Sequence, residues 1–123
     1  MKLNGIDAAA HRLVQAHSFD FLKRAARQNQ RFDLAVVDPP SYSTTKTRSL
    51  SFDVVRDHPR LLRAVVALLR PRAVLFFSTN HQNFEPRMDD LNVSHVQEIT
   101  SATIPEDYLH KRKTIHRCWR ITV

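Results

Sequence analysis

The chain has 123 residues, of which 42% are hydrophobic and 25% charged; this balance is typical of one globular domain and excludes a largely disordered chain. Lysine and arginine total 19 against 12 acidic residues, giving a formal net charge of +7, which favours an RNA or DNA partner, although a basic protein that binds no polyanion has the same composition. The single cysteine, Cys118, excludes an internal disulfide and a multi-cysteine zinc site, and predicts a reducing, cytoplasmic compartment. No apolar run reaches the roughly 20 residues that cross a bilayer, so we expect no membrane insertion.

The first third of the chain predicts a strand, a helix and a second strand. Residues 11–16 have the pattern of a short strand. Ser18 is placed to cap a helix over residues 19–30, whose apolar residues recur at helical spacing. Residues 32–38 form the second predicted strand, and their continuous apolar middle predicts burial on both faces, as in a parallel sheet. Pro39-Pro40 must end this strand because proline cannot donate to a ladder.

The remaining elements begin after a polar, basic loop over residues 41–51. A helix is predicted over residues 52–69, starting near Pro59 or kinked there. A third buried strand over residues 73–79 and a short helix over residues 88–93 follow. The buried stripe of the long helix is expected to comprise Val54, Leu61, Leu62, Val65, Leu68 and Leu69.

The order of these elements indicates an α/β fold with a mostly parallel sheet. Residues 96–100 and 115–123 predict two final strands, joined by residues 105–113, which carry only a weak helix signal. These strands are therefore expected to form an antiparallel C-terminal pair rather than another parallel crossover. The whole chain, residues 1–123, is interpreted as one domain.

One motif carries chemistry: Asp38-Pro39-Pro40-Ser41-Tyr42 at the end of the second strand. An acidic residue at the carboxyl end of a buried parallel strand lies where open α/β sheets bind ligands. The prolines form a rigid turn, so Asp38 or the Pro39 carbonyl could hydrogen-bond a flat base and Tyr42 could stack on it. A proline turn without function is the alternative.

This segment resembles motif IV of the class I methyltransferases that depend on S-adenosylmethionine and act on nucleic acids. The similarity continues in family order through residues 3–6, 12–16, 32–34 and 75–80 to the closing Ile115-His116-Arg117-Cys118-Trp119 segment. Together these residues are similar to the C-terminal, guanine-N7 domain of the bifunctional 23S ribosomal RNA guanine methyltransferases. Ribosomal RNA cytosine-C5 methyltransferases are similar too, but match less well at the end of the chain.

The resemblance implies S-adenosylmethionine as cofactor and ribosomal RNA as substrate. It assigns base placement to Asp38, Pro39, Pro40 and Tyr42, and cofactor contacts to His17 and Asp38. RNA contacts are expected at Lys46, Arg48, Asn80, Lys111 and Arg112, because phosphate could reach basic loops after strand ends. The Lys111–Lys113 run could equally be a solvated surface, and Asn80 could simply form a turn.

The chain also departs from the family. The strands that carry the glycine-rich cofactor loop are expected before Leu3, whereas the chain's only glycine is Gly5. His17 stands where the family has an adenine-contacting aspartate, and Arg70-Pro71-Arg72-Ala73 replaces a glycine-rich turn. We therefore expect this chain alone to bind cofactor weakly and to be inactive.

The departures predict a truncated Rossmann-like sheet. The family's strand order is 3-2-1-4-5-7-6, so losing strands one and two leaves residues 34–37 as a long apolar edge. Either the first strand docks directly beside this edge, or the edge pairs with another chain, giving a homodimer.

Three further interpretations stay open or are disfavoured. A non-catalytic remnant that binds RNA or self-associates is the alternative to an enzyme fragment. The spacing of His110, His116 and Cys118 fits no common zinc pattern, so no metal is expected. Cys118 is better explained as a packed core residue than as a nucleophile.

Overall fold

The computed structural model describes residues 14–43, 51–103 and 116–123. The elements in chain order are α1 Ser18–Arg27, β1 Phe32–Val37, β2 Tyr42–Ser43, β3 Phe52–Asp53, α2 Val54–Val66, β4 Leu69–Thr79, β5 His95–Glu98, α3 Thr100–Thr103 and β6 Arg117–Thr122. None of the helices within these ranges has the length and hydrophobicity to cross a membrane.

The main sheet has four strands in the order β1-β4-β6-β5. β1 and β4 pair in parallel, whereas β6 runs antiparallel to both β4 and β5. Three of the four strands therefore point the same way and only β6 is reversed. This confirms the predicted α/β fold and its antiparallel C-terminal strand pair. The short strands β2 and β3 form a separate antiparallel pair.

The hydrophobic core lies between α2 and one face of the sheet. Leu62, Leu75, Phe77 and Ile121 are fully buried there, and Trp119 is 3% exposed. The predicted stripe is confirmed: all six of its residues are buried. Leu68 and Leu69 reach the core from beyond the helix, because α2 already ends at Val66.

α2 begins at Val54, close to the start of the predicted range 52–69, with Pro59 inside it, so of the two alternatives the start near Pro59 is wrong. The Asp53 carboxylate caps it, accepting hydrogen bonds from the Val55 and Arg56 backbone N–H groups (2.9 and 3.3 Å). Pro59 has no N–H to donate to the Val55 carbonyl one turn back. The Arg87 guanidinium donates to that carbonyl instead, so the proline leaves no unpaired acceptor within the helix.

The first helix and its surroundings also differ from the prediction. α1 ends at Arg27 rather than residue 30, and its N-cap is His17, without a side-chain cap bond, instead of Ser18. Residues 14–16 form no strand, and residues 11–13 lie outside the described part. Residues 88–93 form turns instead of a helix, because the Leu91 N–H donates to the Met88 carbonyl (3.1 Å) in a turn that does not continue.

The prediction that β1 is buried on both faces is wrong. Ala35 and Val37 pack against the core, but Leu34 is 59% and Val36 71% exposed. In the described residues β1 pairs only with β4, and nothing covers its second face. Within residues 14–43, 51–103 and 116–123, the apolar edge expected from the truncated sheet is therefore present. The described residues 14–16 do not pair with it.

The segment before the third predicted strand belongs to β4, which begins at Leu69. The register with β1 shifts here, from Phe32 opposite Leu69 to Leu34 opposite Val74. Arg72 takes φ 70°, in the left-handed region that favours glycine. This is the position at which the family has its glycine-rich turn.

Candidate functional site

The Asp38 carboxylate is fixed by the neighbouring strand. The parallel register sets Val37 opposite Phe77, so the residues that follow them, Asp38 and Ser78, are neighbours at the end of the sheet. The Ser78 hydroxyl donates to Asp38 Oδ1 at 2.8 Å. One carboxylate oxygen is thereby held, and Oδ2 remains available to accept a hydrogen bond from a ligand.

The turn after Asp38 is tied at two further points. The Ser41 hydroxyl donates to Asn80 Oδ1 (2.9 Å) at the end of β4, and the Ser41 carbonyl accepts from the Val54 N–H (3.0 Å) at the start of α2. Tyr42 pairs with Asp53 in the β2–β3 pair. The Tyr42 residue is 61% exposed, so its ring is accessible for stacking.

We call the turn that begins with Asp38-Pro39-Pro40 the base corner. A cleft of about 1080 Å³, here called the main cleft, opens beside it. Asp38, Pro39 and Pro40 form one wall of the main cleft, and His17 with Phe19 lines another. Of the predicted base-placing and cofactor residues, His17, Asp38, Pro39 and Pro40 line this cleft. Tyr42 and the predicted RNA contact Asn80 are not among its lining residues. The aspartate at the strand end was the signal that located the cleft from sequence.

His17 is the residue of this cleft with an unsatisfied atom. Its Nδ1 is buried and has no hydrogen-bond partner among the described residues. The Phe19 ring lies 6.1 Å from the His17 ring, centroid to centroid, and the Arg60 guanidinium lies 4.2 Å above the Phe19 centroid. A flat, polar ligand group in the main cleft would therefore find an aromatic wall and an unpaired ring nitrogen.

The basic residues predicted to contact RNA, Lys46, Arg48, Lys111 and Arg112, lie outside the described residues. The described lining of the main cleft contains three other cations that sequence reasoning missed, Lys23, Arg56 and Arg60. Arg56 is bound to Asp57 at 2.8 Å, and this hydrogen bond lowers the pKa of the Asp57 carboxyl. Lys23 lies on α1 and Arg60 on α2. Their positions at helical spacing in these two segments were the sequence signal that could have indicated them.

A second cleft of about 300 Å³, here called the Asn80 cleft, follows the end of β4. It is lined by Asn80, His81, Gln82, Asn83, Phe84, His116 and Arg117. Of these residues the sequence singled out Asn80 alone for a site at this end of the sheet. The cleft forms only where the segment after β4 meets the start of β6, a juxtaposition that a linear pattern does not reveal.

Cys118 is buried opposite Ser78 in the sheet. Burial, and secondly the charge of Asp38, raise the pKa of its thiol. The thiol therefore stays protonated at neutral pH and is a poor nucleophile, as expected for a packed cysteine. Within the described ranges, no cluster of three metal-ligating side chains could hold a metal ion.

The fold is that of methyltransferases of known structure. SMU.776, a provisionally named methyltransferase solved with SAH, superposes with a TM-score of 0.75 at 24% identity, covering 99% of this chain and 34% of that one. A second structure, from Streptococcus mutans, has a TM-score of 0.74 at 23% identity, covering 99% of this chain and 33% of its own. No family model matches the chain.

Relatives similar in sequence indicate more closely which methyltransferases the chain resembles. The chain is 42% identical over 122 residues to the ribosomal RNA large subunit methyltransferase K of Neisseria meningitidis serogroup B, covering 98% of this chain and 33% of that protein. It is 41% identical to methyltransferase K/L of Magnetococcus marinus, covering 99% of this chain and 17% of that protein. It is 38% identical to the K/L protein of Syntrophotalea carbinolica, covering 99% of this chain and 16% of that protein.

The chain is therefore homologous to one segment of the ribosomal RNA large subunit methyltransferases K and K/L, which confirms the resemblance found in the sequence. It spans about a third of the length of the first relative and about a sixth of the other two.

Proposed function

We propose that this chain is the base-placing part of an S-adenosylmethionine-dependent methyltransferase that acts on a ribosomal RNA base, guanine N7 being the expected target. The observation that carries the proposal is the Asp38 carboxylate, held by Ser78 at 2.8 Å on the wall of the main cleft. The names of the relatives support the methyl transfer and the RNA substrate. Cytoplasmic action on RNA is part of the same proposal.

The corner suits guanine because of where guanine carries its donors. Asp38 Oδ2 can accept from the N1–H and N2–H groups of the Watson–Crick edge, while N7 is an acceptor on the opposite, major-groove edge. N7 has a free lone pair, so its methylation needs no general base. The chain must instead hold the base flipped out and aligned with the methyl donor; Pro39 and Pro40 keep the corner rigid and Tyr42 supplies a stacking face.

The cofactor would supply an electrophilic methyl group on its sulfonium. The adenine end fits the main cleft, where His17 Nδ1 lacks a partner and Phe19 offers an aromatic wall. No described residue supplies a glycine-rich loop for the methionine end, since the only glycine is Gly5. We therefore propose that His17 and Asp38 contact cofactor, and that this chain alone binds it weakly and does not turn over.

RNA would approach the corner through its phosphates. We propose contacts from Lys46, Arg48, Lys111 and Arg112, which are positioned in sequence after predicted strand ends, and from Asn80 beside the corner. The net charge of +7 supports a polyanionic partner.

Nucleoside binding tests this proposal. In ¹H–¹⁵N NMR titrations of the 123-residue chain, guanosine is expected to shift the resonances of Asp38, Tyr42 and Ser78. Replacing Asp38 with alanine should weaken guanosine binding about 10-fold or more, because a hydrogen bond to a charged group contributes about 1.5–3 kcal/mol. Asp33→Ala is the matched control, because Asp33 is an exposed aspartate at the other end of β1 paired with Arg70.

The alternatives give different titrations. If cytidine binds more tightly than guanosine, this would favour the alternative that the chain is part of a cytosine-C5 methyltransferase. If neither nucleoside shifts the corner, the chain is better explained as a non-catalytic remnant. A calorimetric titration that gives micromolar affinity for S-adenosylmethionine would contradict the weak cofactor binding proposed for this chain.

We also propose that the uncovered edge of β1 lets two copies of this chain associate. Val36 is 71% and Leu34 59% exposed in the described structure, which is unusual for the apolar middle of a strand and favours edge-to-edge pairing. Light scattering coupled to size exclusion is expected to show mass rising with concentration. Val36→Lys should reduce this association at least several-fold, because a lysine side chain on an edge strand disfavours edge-to-edge pairing.

Val55→Lys provides the control for this experiment. Val55 is 40% exposed on α2, so the same substitution adds the same charge away from the β1 edge. A wild-type chain that remains monomeric at all concentrations, or a Val55→Lys effect as large as that of Val36→Lys, would contradict edge association.

A further inference from the structure

The Asn80 cleft is polar, and none of its described lining residues is acidic. That described lining contains two histidines, one arginine and three side-chain amides, but no aspartate or glutamate. A cation would therefore find no carboxylate in this cleft, whereas the N–H donors of amide and imidazole groups suit an anion. The only apolar side chain in the lining, Phe84, is 2% exposed, so it offers no face on which a base could stack.

The walls of the cleft are held in place from outside. Phe84 packs edge-on against Trp119, with ring centroids 5.5 Å apart. The Arg117 guanidinium donates to Glu98 Oε1 at 2.8 Å and to the Phe84 carbonyl at 2.6 Å, and stacks over the Trp119 ring. The backbone N–H of His81 donates to Thr79 Oγ1 (3.1 Å). Ligand binding would therefore order few side chains anew, which lowers its entropic cost.

One hydrogen bond links the Asn80 cleft to the turn that follows Asp38. Ser41 directly follows Pro40, and its hydroxyl donates to Asn80 Oδ1 at 2.9 Å. With its carboxamide oxygen used in this way, Asn80 has its nitrogen donors left. Ser41 therefore connects the turn after Asp38 with Asn80, and the sugar–phosphate of a nucleotide whose base lies against Asp38 is the ligand group we expect to approach Asn80.

We infer that the Asn80 cleft binds the phosphate group of the nucleotide whose base occupies the Asp38 corner, with His81 and the Asn80 amide as donors. This inference rests on the proposed function for its biological ligand, but the anion site itself can be tested apart from base binding. It adds a phosphate subsite built from the segment that follows β4.

Comparison of guanosine with guanosine 5′-monophosphate tests the inference by NMR titration. The monophosphate is expected to bind at least about 5-fold more tightly, because it adds charge-assisted hydrogen bonds. His81→Ala and Asn83→Asp should each remove most of this preference while guanosine affinity stays unchanged. Asn83→Asp adds a negative charge to the cleft at nearly constant shape.

Matched controls exist for both substitutions. His95 lies on β5 and Asn92 in the loop before it, both exposed and neither in the lining of the cleft. His95→Ala and Asn92→Asp are expected to retain the preference for the monophosphate. Equal binding of the two ligands, or a preference that His81→Ala and Asn83→Asp leave intact, would overturn the inference.

Inorganic phosphate separates this inference from the proposed function. If phosphate alone shifts the resonances of His81, Asn83 and His116, the anion site is supported even when guanosine fails to bind the corner. If phosphate shifts none of them, the inference is overturned, although guanosine binding at Asp38 would leave the proposed function standing.

Discussion

Replacing His58 with alanine is expected to lower the free energy of unfolding by about 3 to 5 kcal/mol. His58 is fully buried, with its ring 4.6 Å from that of Phe84 and 6.2 Å from that of Phe77. The substitution opens a cavity in this aromatic cluster. It also removes the acceptor of the Arg87 backbone N–H, which His58 Nε2 binds at 3.0 Å. Urea denaturation of both chains measures the loss.

The control for His58→Ala is His95→Ala. His95 is an exposed histidine on β5, and its replacement should change the free energy of unfolding by no more than about 0.5 kcal/mol. If His58→Ala lowered the free energy of unfolding by less than about 1 kcal/mol, this would contradict a buried His58 ring with a hydrogen bond at each nitrogen.

The same residue predicts a loss of stability in mild acid. His58 Nε2 accepts from Arg87 while Nδ1 lies 2.6 Å from the Val54 carbonyl, an arrangement that requires the neutral ring with hydrogen on Nδ1. Burial, together with the Arg87 charge, lowers the pKa of His58. The unfolded chain, with a histidine pKa near about 6.5, therefore binds more protons than the folded chain between the two pKa values.

The contribution of His58 to the free energy of unfolding is therefore fully present above about pH 6.5. It is lost as the pH falls through the lower pKa that His58 has in the folded chain. His58→Phe should remove this part of the pH dependence. The pKa values of Asp57 and Glu98 are also lowered, by hydrogen bonds from Arg56 and Arg117. Their contributions are present above the ordinary carboxyl pKa of about 4 and disappear below it, so denaturation at pH 5 and 7 isolates the histidine.

Tyr42→Ala is expected to weaken guanosine binding about 5- to 100-fold, because stacking of one base on an aromatic side chain contributes about 1–3 kcal/mol. Tyr42→Phe keeps the ring and should stay within about 2-fold of the wild type. Since the residue is 61% exposed, neither change should alter the free energy of unfolding by more than about 0.5 kcal/mol. NMR titration measures the affinity; an unchanged affinity in Tyr42→Ala would exclude stacking on Tyr42.

The base corner could be located from sequence because its signals are local. A continuous apolar run ending in Asp38 and two prolines specifies both the strand and its last residue, whatever surrounds it. The hydrogen bond between Asp38 and Ser78 then follows from the parallel register of β1 and β4. The burial of β1 could not be predicted in this way, because composition shows that Leu34 is apolar but not whether another element covers it.

Features that depend on contacts between residues far apart in the sequence could not be predicted, for the same physical reason. The sequence pattern left open whether α2 starts near Pro59 or is kinked there, although Asp53 was an available capping signal for the earlier start. What makes a proline tolerable inside this helix is Arg87, whose side chain binds the freed carbonyl of Val55 from 32 residues away along the chain. The burial of His58 agrees with the helical spacing of the predicted stripe, since it lies four residues after Val54 and three before Leu61. Its role as an acceptor could not be predicted, because the donor is the backbone of the same Arg87.

Arg87 therefore joins the segment after β4 to α2 at two independent points, through its guanidinium and through its backbone N–H. During synthesis the first turns of α2 leave the ribosome before Arg87 does, with the Val55 carbonyl and the His58 ring still lacking their donors. We expect those turns to mature late, when Arg87 arrives, and to open together with that segment in native-state hydrogen exchange. A proline and an arginine far apart in sequence thus make one cooperative unit.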